Sequence, residues 1–343
     1  FKQKTAYEIG VRLVGSEMCI RDRCCPSTPA SLTPTGAATL QQRVPPETIM
    51  EKPNWERRTL GRTGFEVTVM GIGCAWLGHT NGENSPEIGA ETVLAGLESG
   101  MNLLDTSDDY RDGNSEGIVG QALEHWLGQG NRREDLILST KVTATQKKPD
   151  AFTYDGAMRS LEYSLRELRV DYLDIFLIHD PVNLEPVLAD DGALAALRTA
   201  KEQGTIRAIG LGCRPHEFHQ RCIETGEFDM SLTFHDYNLV VRTAEAGVLE
   251  HAVKRDVGVY NASINSALSS DQNAERAAQL SDWCNQRDID RAALNLQFCL
   301  REQRFASTLI GFSRPARVVQ NVADYGATFD ESIWEELERE LGV

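Results

Sequence analysis

Apolar runs of four to seven residues recur along the chain, and between them lie longer segments in which apolar positions repeat every three or four residues. The runs fall at about 67–73, 102–105, 135–140, 172–178, 206–211, 230–234, 257–260 and 307–310. Continuous rather than alternating hydrophobicity over so few residues predicts strands covered on both faces, as in a parallel sheet. The segments between them, Glu87–Ser99, Ser115–Leu127, Tyr154–Leu168, Leu194–Gln203, Pro215–Thr225, Ala244–Lys254 and Asn273–Gln286, read as helices, with Arg291–Arg301 as an additional one. In the Tyr154 segment Met158, Leu161, Leu165 and Leu168 share one face at helical spacing. Before the first strand, Arg58–Val67 places Gly61 and Gly64 between two extended pieces, which predicts a hairpin.

Eight strands alternating with helices predict an α/β fold of the (β/α)8 TIM-barrel type. A doubly wound sheet is the alternative, but it calls for a Gly-x-Gly-x-x-Gly turn that opens a helix after its first strand. Gly71-Ile-Gly73-Cys-Ala-Trp76 is the nearest match, and a polar loop to Pro86 follows it.

Three of the runs end on side chains that are costly to bury. Asn102–Tyr110 stops its apolar stretch at Asp105 and releases Tyr110 into a polar loop; Asp135–Lys141 ends in a lysine; Tyr172–His179 ends in a histidine, followed by Asp180 and Pro181. The C-terminal edge of parallel strands is where α/β sheets carry their chemistry. Taken singly, Asp105 reads as a loop cap, Tyr110 as a surface phenol, Lys141 as a solvated strand end and His179 as a core histidine.

The four in this order, within the words LLDTS..Y, SEGIVGQAL, STKV and LIHDP, resemble the catalytic tetrad of the aldo-keto reductases. The likeness runs from about Arg57 to about Tyr325 and is nearest to the branch that oxidises L-galactose, L-fucose and D-threo-aldoses. It implies a barrel whose floor the hairpin closes, a nicotinamide cofactor and a small sugar or carbonyl substrate. It assigns Tyr110 as the acid or base, Lys141 as the neighbour that lowers its pKa from about 10, Asp105 as the partner of Lys141, and His179 as the group that orients the substrate oxygen.

The resemblance also supplies a cofactor end. Thr308–Asn321 matches the segment in which a loop and a helix N-terminus take the adenosine phosphate, a favourable place for an anion. Gly311 and Ser313 lie in that loop, Arg317 is placed to reach a 2′-phosphate, and Gln320 and Asn321 to meet the adenine. Gly73 and Cys74 at the first strand end, Gly212 and Cys213 where relatives carry Ser-Asn, and Ala262 and Ser263 where many carry an aromatic complete the expected cofactor contacts. Gly311 stands where NADPH-preferring relatives often have lysine, so Arg317 tilts the expectation only slightly to NADP over NAD. The loop between Ser263 and Asn273, which commonly folds over the pyrophosphate, is short.

Trp76 and Asp180, near the expected mouth, are the candidate sugar contacts, and His235–Asn238 follows the sixth strand. A free aldose is the leading substrate. The alternatives are an NADPH-dependent reductase of aldehydes or ketones, pyridoxal-like compounds included, and a nucleotide-sensing accessory subunit with vestigial catalysis.

Composition narrows the partners. The formal charge is −16, from 35 basic against 51 acidic side chains, so neither nucleic acid nor an anionic membrane is an expected partner. No apolar run approaches the about 18 residues of a membrane span. The eight cysteines show no metal-ligand spacing, no metal is expected, and those of the main body, Cys74, Cys213, Cys222, Cys284 and Cys299, are an odd set with wide gaps, which suggests reduced thiols and a cytoplasmic setting. Oligomeric state is not legible. Residues 1–49 resemble a translated adaptor followed by a Pro, Ser, Thr and Ala tract without periodicity; they are expected to be a disordered leader, with the globular domain spanning 50–343.

Overall fold

A computed structural model describes residues 52–80, 83–265 and 273–343; the leader expected over residues 1–49 lies outside them. The first described strands, β1 (Arg57–Thr59) and β2 (Glu66–Thr68), pair antiparallel as the expected hairpin. Eight strands then close a parallel barrel in chain order: β3 (Met70–Gly73), β6 (Leu103–Asp105), β7 (Ile137–Thr143), β8 (Leu173–His179), β9 (Ile206–Gly212), β10 (Met230–Phe234), β11 (Gly258–Ala262) and β12 (Ser307–Gly311). A two-stranded ribbon, β4 (His79–Thr80) with β5 (Glu83–Asn84), stands in the first loop above the barrel. The fold is the (β/α)8 barrel, and the doubly wound alternative falls away with the closure of β12 on β3.

Helices α1 (Pro86–Glu98), α2 (Ser115–Gly128), α3 (Tyr154–Leu168), α5 (Ala193–Glu202), α6 (His216–Thr225), α7 (Glu250–Lys254), α8 (Ala274–Gln286) and α9 (Arg291–Arg301) answer to the predicted ones. The short α4 (Glu185–Leu188) and the terminal α11 (Glu331–Leu341) were not expected; α11 carries five glutamates among its 11 residues, and it buries Leu337 against an outer cluster of α8 and α9 residues that includes Leu280, Trp283 and Leu294. Ser85 caps α1 through Ile88 N, and Thr153 caps α3 through Gly156 N, each satisfying a first-turn donor.

The strands are apolar on both faces because two cores meet on them. Ile175, Leu177, Met230, Leu232 and Tyr260 point into the barrel, while Leu138, Phe176, Ile178 and Leu211 face the helices. Leu60, Phe65 and Val67 of the floor hairpin belong to the inner core. The hairpin can seat there only because Gly61, with φ +45°, lies against the start of β11: a Cβ would come within 2.4 Å of Gly258 N.

Two strand limits differ from the expected ones. The run at 67–73 is broken at Val69, where Asn102 holds the hairpin side by accepting from Thr68 N and donating to Glu66 O. The run at 135–140 extends instead to Thr143, since pairing continues from Lys141 with Leu177 to Thr143 with His179. Lys141 is thus inside its strand rather than at the end, and strand alternation turns Ser139, Lys141 and Thr143 to one side.

Candidate active site

Above the inner core the barrel turns polar. Asp105, at the end of β6, has both carboxylate oxygens engaged: Oδ1 accepts from Lys141 Nζ at 2.5 Å and Oδ2 from Ser139 Oγ at 2.8 Å. Lys141 also donates to Thr106 O at 2.6 Å and has no solvent exposure. Burial alone opposes its charge, but the adjacent Asp105 and Tyr110 outweigh this and raise its pKa. It stays an ammonium, aimed at Tyr110 with Nζ 4.6 Å from the ring centroid.

Tyr110 opens a 3-10 turn (Tyr110–Gly113) in which Arg111 and Asp112 both adopt φ +57°. This kinked turn directs the phenol inward, edge-on to His179 with ring centroids 5.6 Å apart. The expected net lowering of its pKa is corrected here. Burial pushes Tyr110 up to about 12, and the opposing field of Lys141 recovers only part of that. The phenol is therefore a proton donor at neutral pH, and it is a base only in its ionised form, which the ammonium of Lys141 favours.

His179 ends β8. Its Nδ1 faces Thr143 Oγ1 at 2.9 Å, Ser107 Oγ at 3.3 Å and Asp109 Oδ1 at 3.6 Å, and its Nε2 lies 3.6 Å from Asp180 Oδ2. Burial raises Asp109, yet its contacts with His179, Ser107 and Thr143 prevail and hold the carboxyl well below its ordinary range. Asp180 shifts the other way, upward, chiefly from burial.

Asp105, Tyr110 and His179 line a single cavity of about 460 Å³, with Lys141 just beneath it. Trp76, Asp180, Gly73, Cys74, Ala262, Ser263, Gly311 and Arg317 line it too. Trp76 is 57% exposed and so is not part of the core. Five expected cofactor residues are not on this wall. The carbonyl of Gly212 accepts from Asp180 N, and Cys213 is buried with its Sγ 3.5 Å from His219 Nε2. Ser313 offers its carbonyl to Gly78 N, while Gln320 and Asn321 donate within their own helix, to Asp324 Oδ1 and Arg317 O.

Asp109, Ser107 and Thr143 escaped the sequence reading. Two signals pointed to them: Asp109 adjoins Tyr110, and Thr143 is two residues past Lys141 on the same strand face. Phe234, His235, Ile264 and Asn265 also line the cavity. The short loop expected to cover a pyrophosphate falls largely at 266–272, outside the described residues.

A dinucleotide fits what is present. The cavity runs from the phenol to the start of α10 (Pro315–Tyr325), whose N-cap residue Arg314 makes no side-chain cap; Pro315 has no N–H and Arg317 N donates to Arg314 O, so what the helix start offers an anion is chiefly its dipole and the Arg317 side chain. Among the described residues neither Arg314 nor Arg317 has a carboxylate within ion-pair distance. No group of His, Cys, Asp and Glu among the described residues could hold a metal, and their five cysteines are free and buried. None of the described helices is long and apolar enough to cross a membrane.

Comparison with known proteins agrees with this arrangement. The chain is 28% identical over 338 residues to pyridoxal 4-dehydrogenase of Microbacterium luteolum, covering 83% of this chain and 97% of that one. It is 28% identical over 287 residues to L-galactose dehydrogenase of Arabidopsis thaliana, covering 78% and 87%. The holo form of an aldo-keto reductase from Bacillus halodurans superposes with a TM-score of 0.69 at 23% identity, over 83% of this chain and 96% of that one, a likeness of fold. Residues 69–340 match the model of the Aldo/keto reductase family, a span that takes in all eight barrel strands and the cavity above them, and the chain belongs to that family.

Proposed function

We propose that this aldo-keto reductase oxidises the C1 hydroxyl of an aldose of the L-galactose, L-fucose or D-threo-aldose class to the lactone. The observation that carries the reading is the convergence of Asp105, Tyr110, Lys141 and His179 on a cavity rimmed by Trp76 and Asp180. An indole face beside hydrogen-bonding groups suits a polyol, whose C–H face stacks on the ring while its hydroxyls find partners.

A bound nicotinamide dinucleotide supplies the hydride acceptor. The protein's part is proton transfer and orientation. His179 orients the substrate and holds its C1 hydroxyl against Tyr110. As the hydride leaves C1, the hydroxyl proton passes to the ionised oxygen of Tyr110, whose negative charge Lys141 stabilises until that proton arrives. Asp105 keeps Lys141 charged and in place without contacting the substrate. Arg317, at the first turn of α10, would hold a 2′-phosphate, which favours NADP slightly over NAD. The catalytic unit in this reading begins at Met50; the clustering of contacts into one unit, Met50–Val343, supports it, and a protein truncated there should turn over at the full-length rate.

A second reading keeps the site and changes the substrate. The likeness to pyridoxal 4-dehydrogenase, and the exposed indole of Trp76, favour a pyridoxal-like aromatic compound. Absorbance of the reduced nicotinamide, followed with each nucleotide over L-galactose, L-fucose, other aldoses, pyridoxal and a panel of aldehydes, separates the two. Turnover of the sugars that Tyr110→Phe nearly abolishes, with nucleotide binding intact, is the expected result. Preference for pyridoxal or simple aldehydes overturns the sugar assignment, and appreciable rate in Tyr110→Phe removes Tyr110 from its role.

A further inference from the structure

The hydrogen bonds among the partners of His179 Nδ1 have a direction. Asp109 Oδ1 accepts from Ser107 Oγ at 2.6 Å and from Thr143 Oγ1 at 3.2 Å. An ionised carboxylate is an acceptor only, so it draws both hydroxyl protons toward itself. Of the other partners of Thr143 Oγ1, Ser107 Oγ at 3.2 Å has likewise given its proton to Asp109, so toward His179 Nδ1, 2.9 Å away, Thr143 can only accept. The Nδ1 atom must then carry a hydrogen. In a neutral imidazole the other nitrogen is bare, and Nε2 is the one turned toward Asp180 and the cavity.

We infer that Asp109 is a positioning residue that acts through Thr143 and Ser107 to fix His179 in the Nδ1–H form, making Nε2 an acceptor for a substrate hydroxyl. The inference rests on the proposed oxidation and deepens it. The single hydrogen of the C1 hydroxyl goes to Tyr110, so an Nε2 acceptor takes a second hydroxyl of the substrate, which a polyol offers beside the reacting carbon and a simple aldehyde or ketone lacks. The groups that face the imidazole are Asp109, Ser107 and Thr143 at Nδ1, Asp180 at Nε2 and the ring edge of Tyr110. Among the described residues no Arg or Lys lies within ion-pair distance of Asp109, so His179 and its hydroxyl neighbours are what this carboxylate serves.

Nitrogen-15 NMR of the full chain, labelled in its histidines and without nucleotide, tests the tautomer independently of any substrate. The His179 signals, assigned by their loss in His179→Gln, are read at a pH about two units above the ordinary imidazole value of ~6.5. The expected result is a protonated Nδ1 and a bare Nε2, with the balance moving toward Nε2–H in Asp109→Asn, whose amide can donate to Thr143. Thr143→Val should loosen the preference in the same way and Thr143→Ser should restore it, which keeps the test open if Asp109→Asn does not fold. An Nε2–H ring or a doubly protonated ring in the wild type overturns the inference, as does a tautomer that neither substitution moves. In kinetics, Asp109→Asn should lower kcat/KM for the oxidised substrate at least tenfold with nucleotide affinity unchanged, and, because one equilibrium constant ties the two directions, kcat/KM for reduction of the corresponding carbonyl should fall by the same factor; an unchanged kcat/KM overturns the inference. If no sugar is turned over, the aldose reading fails while the NMR result stands on its own.

Discussion

Lys141 reaches Asp105 across the top of the barrel at 2.5 Å, and neither side chain has appreciable contact with solvent. A pair so placed is maintained by both members, because removing one strands the other's charge in a medium that cannot solvate it. Asp105→Asn should therefore cost about 3–5 kcal/mol of stability, in the range seen when one partner of a buried pair is removed. Urea unfolding of the variant and the wild type at neutral pH measures it. A loss below about 1 kcal/mol would mean that Lys141 had found another counter-charge. Activity should fall further than stability accounts for, since an unpaired Lys141 tends to lose its proton and with it the field on Tyr110.

Glu116, in the first turn of α2, is fully buried beside Thr140, which donates to it at 2.6 Å. Burial pushes its pKa up from the ordinary 4.5 to about 7. The folded state thus binds a proton that the unfolded state has already released between those values. Stability contributed by this group is fully present below about 4.5, is lost as pH rises toward 7, and does not return above it. The cost of keeping the carboxylate buried at pH 8 is on the order of 3 kcal/mol. Glu116→Gln, whose amide oxygen can still accept from Thr140, should be more stable than the wild type at pH 8, and the gap should close by pH 5. Thermal unfolding of both proteins across that range checks it; a gap that is flat in pH would place the titration elsewhere.

The barrel and the four residues at its mouth were legible because both are local signals. An apolar run covered on both faces must be unbroken, so β7 and β8 stand out, and a charge at the end of such a run, Asp105 or His179, is conspicuous against it. What could not be read depends on pairing across the barrel. Whether β7 stops at Lys141 or at Thr143 is set by its register with β8, and only that register brings Thr143 beside His179. The pKa of Tyr110 went the same way: the lysine was visible in the chain, but the depth of burial that outweighs it was not. Gln320 and Asn321 were placed by the resemblance of Thr308–Asn321 to the family's cofactor segment, and a resemblance does not show that their amides donate inside α10, to Asp324 and Arg317.

Trp76 is the most exposed large aromatic on the cavity wall, and its Cδ1 lies 3.3 Å from where a Cβ would stand on Gly311. An indole that is 57% exposed contributes little to the fold, so Trp76→Ala should leave stability within about 0.5 kcal/mol of the wild type. The loss should appear instead as a KM for the sugar raised about tenfold, the worth of one good stacking contact at ~1.4 kcal/mol, with kcat little changed. Melting temperature and steady-state kinetics measured on the same preparation separate the outcomes. A variant that melts early with normal KM would return Trp76 to a purely structural role.

Arg317 tests the cofactor end. It stands on the first turn of α10, exposed and without a carboxylate partner among the described residues, on the rim of the cavity that Tyr110 closes at the other end. A 2′-phosphate carries about two charges that NAD lacks, and a guanidinium meets them with paired donors backed by the uncapped start of the helix. If that is its role, Arg317→Ala should weaken NADPH binding tenfold or more and leave NADH binding within a factor of two, a difference of at least ~1.4 kcal/mol between the two nucleotides. The contrast should shrink as salt rises, because an exposed charge pair is screened within about 10 Å at 0.1 M. Fluorescence titration with each reduced nucleotide at two salt concentrations gives all four constants. Equal weakening of both nucleotides would mean that Arg317 meets the shared diphosphate, and no change in either would leave the start of α10 without a cofactor role and remove the preference for NADP.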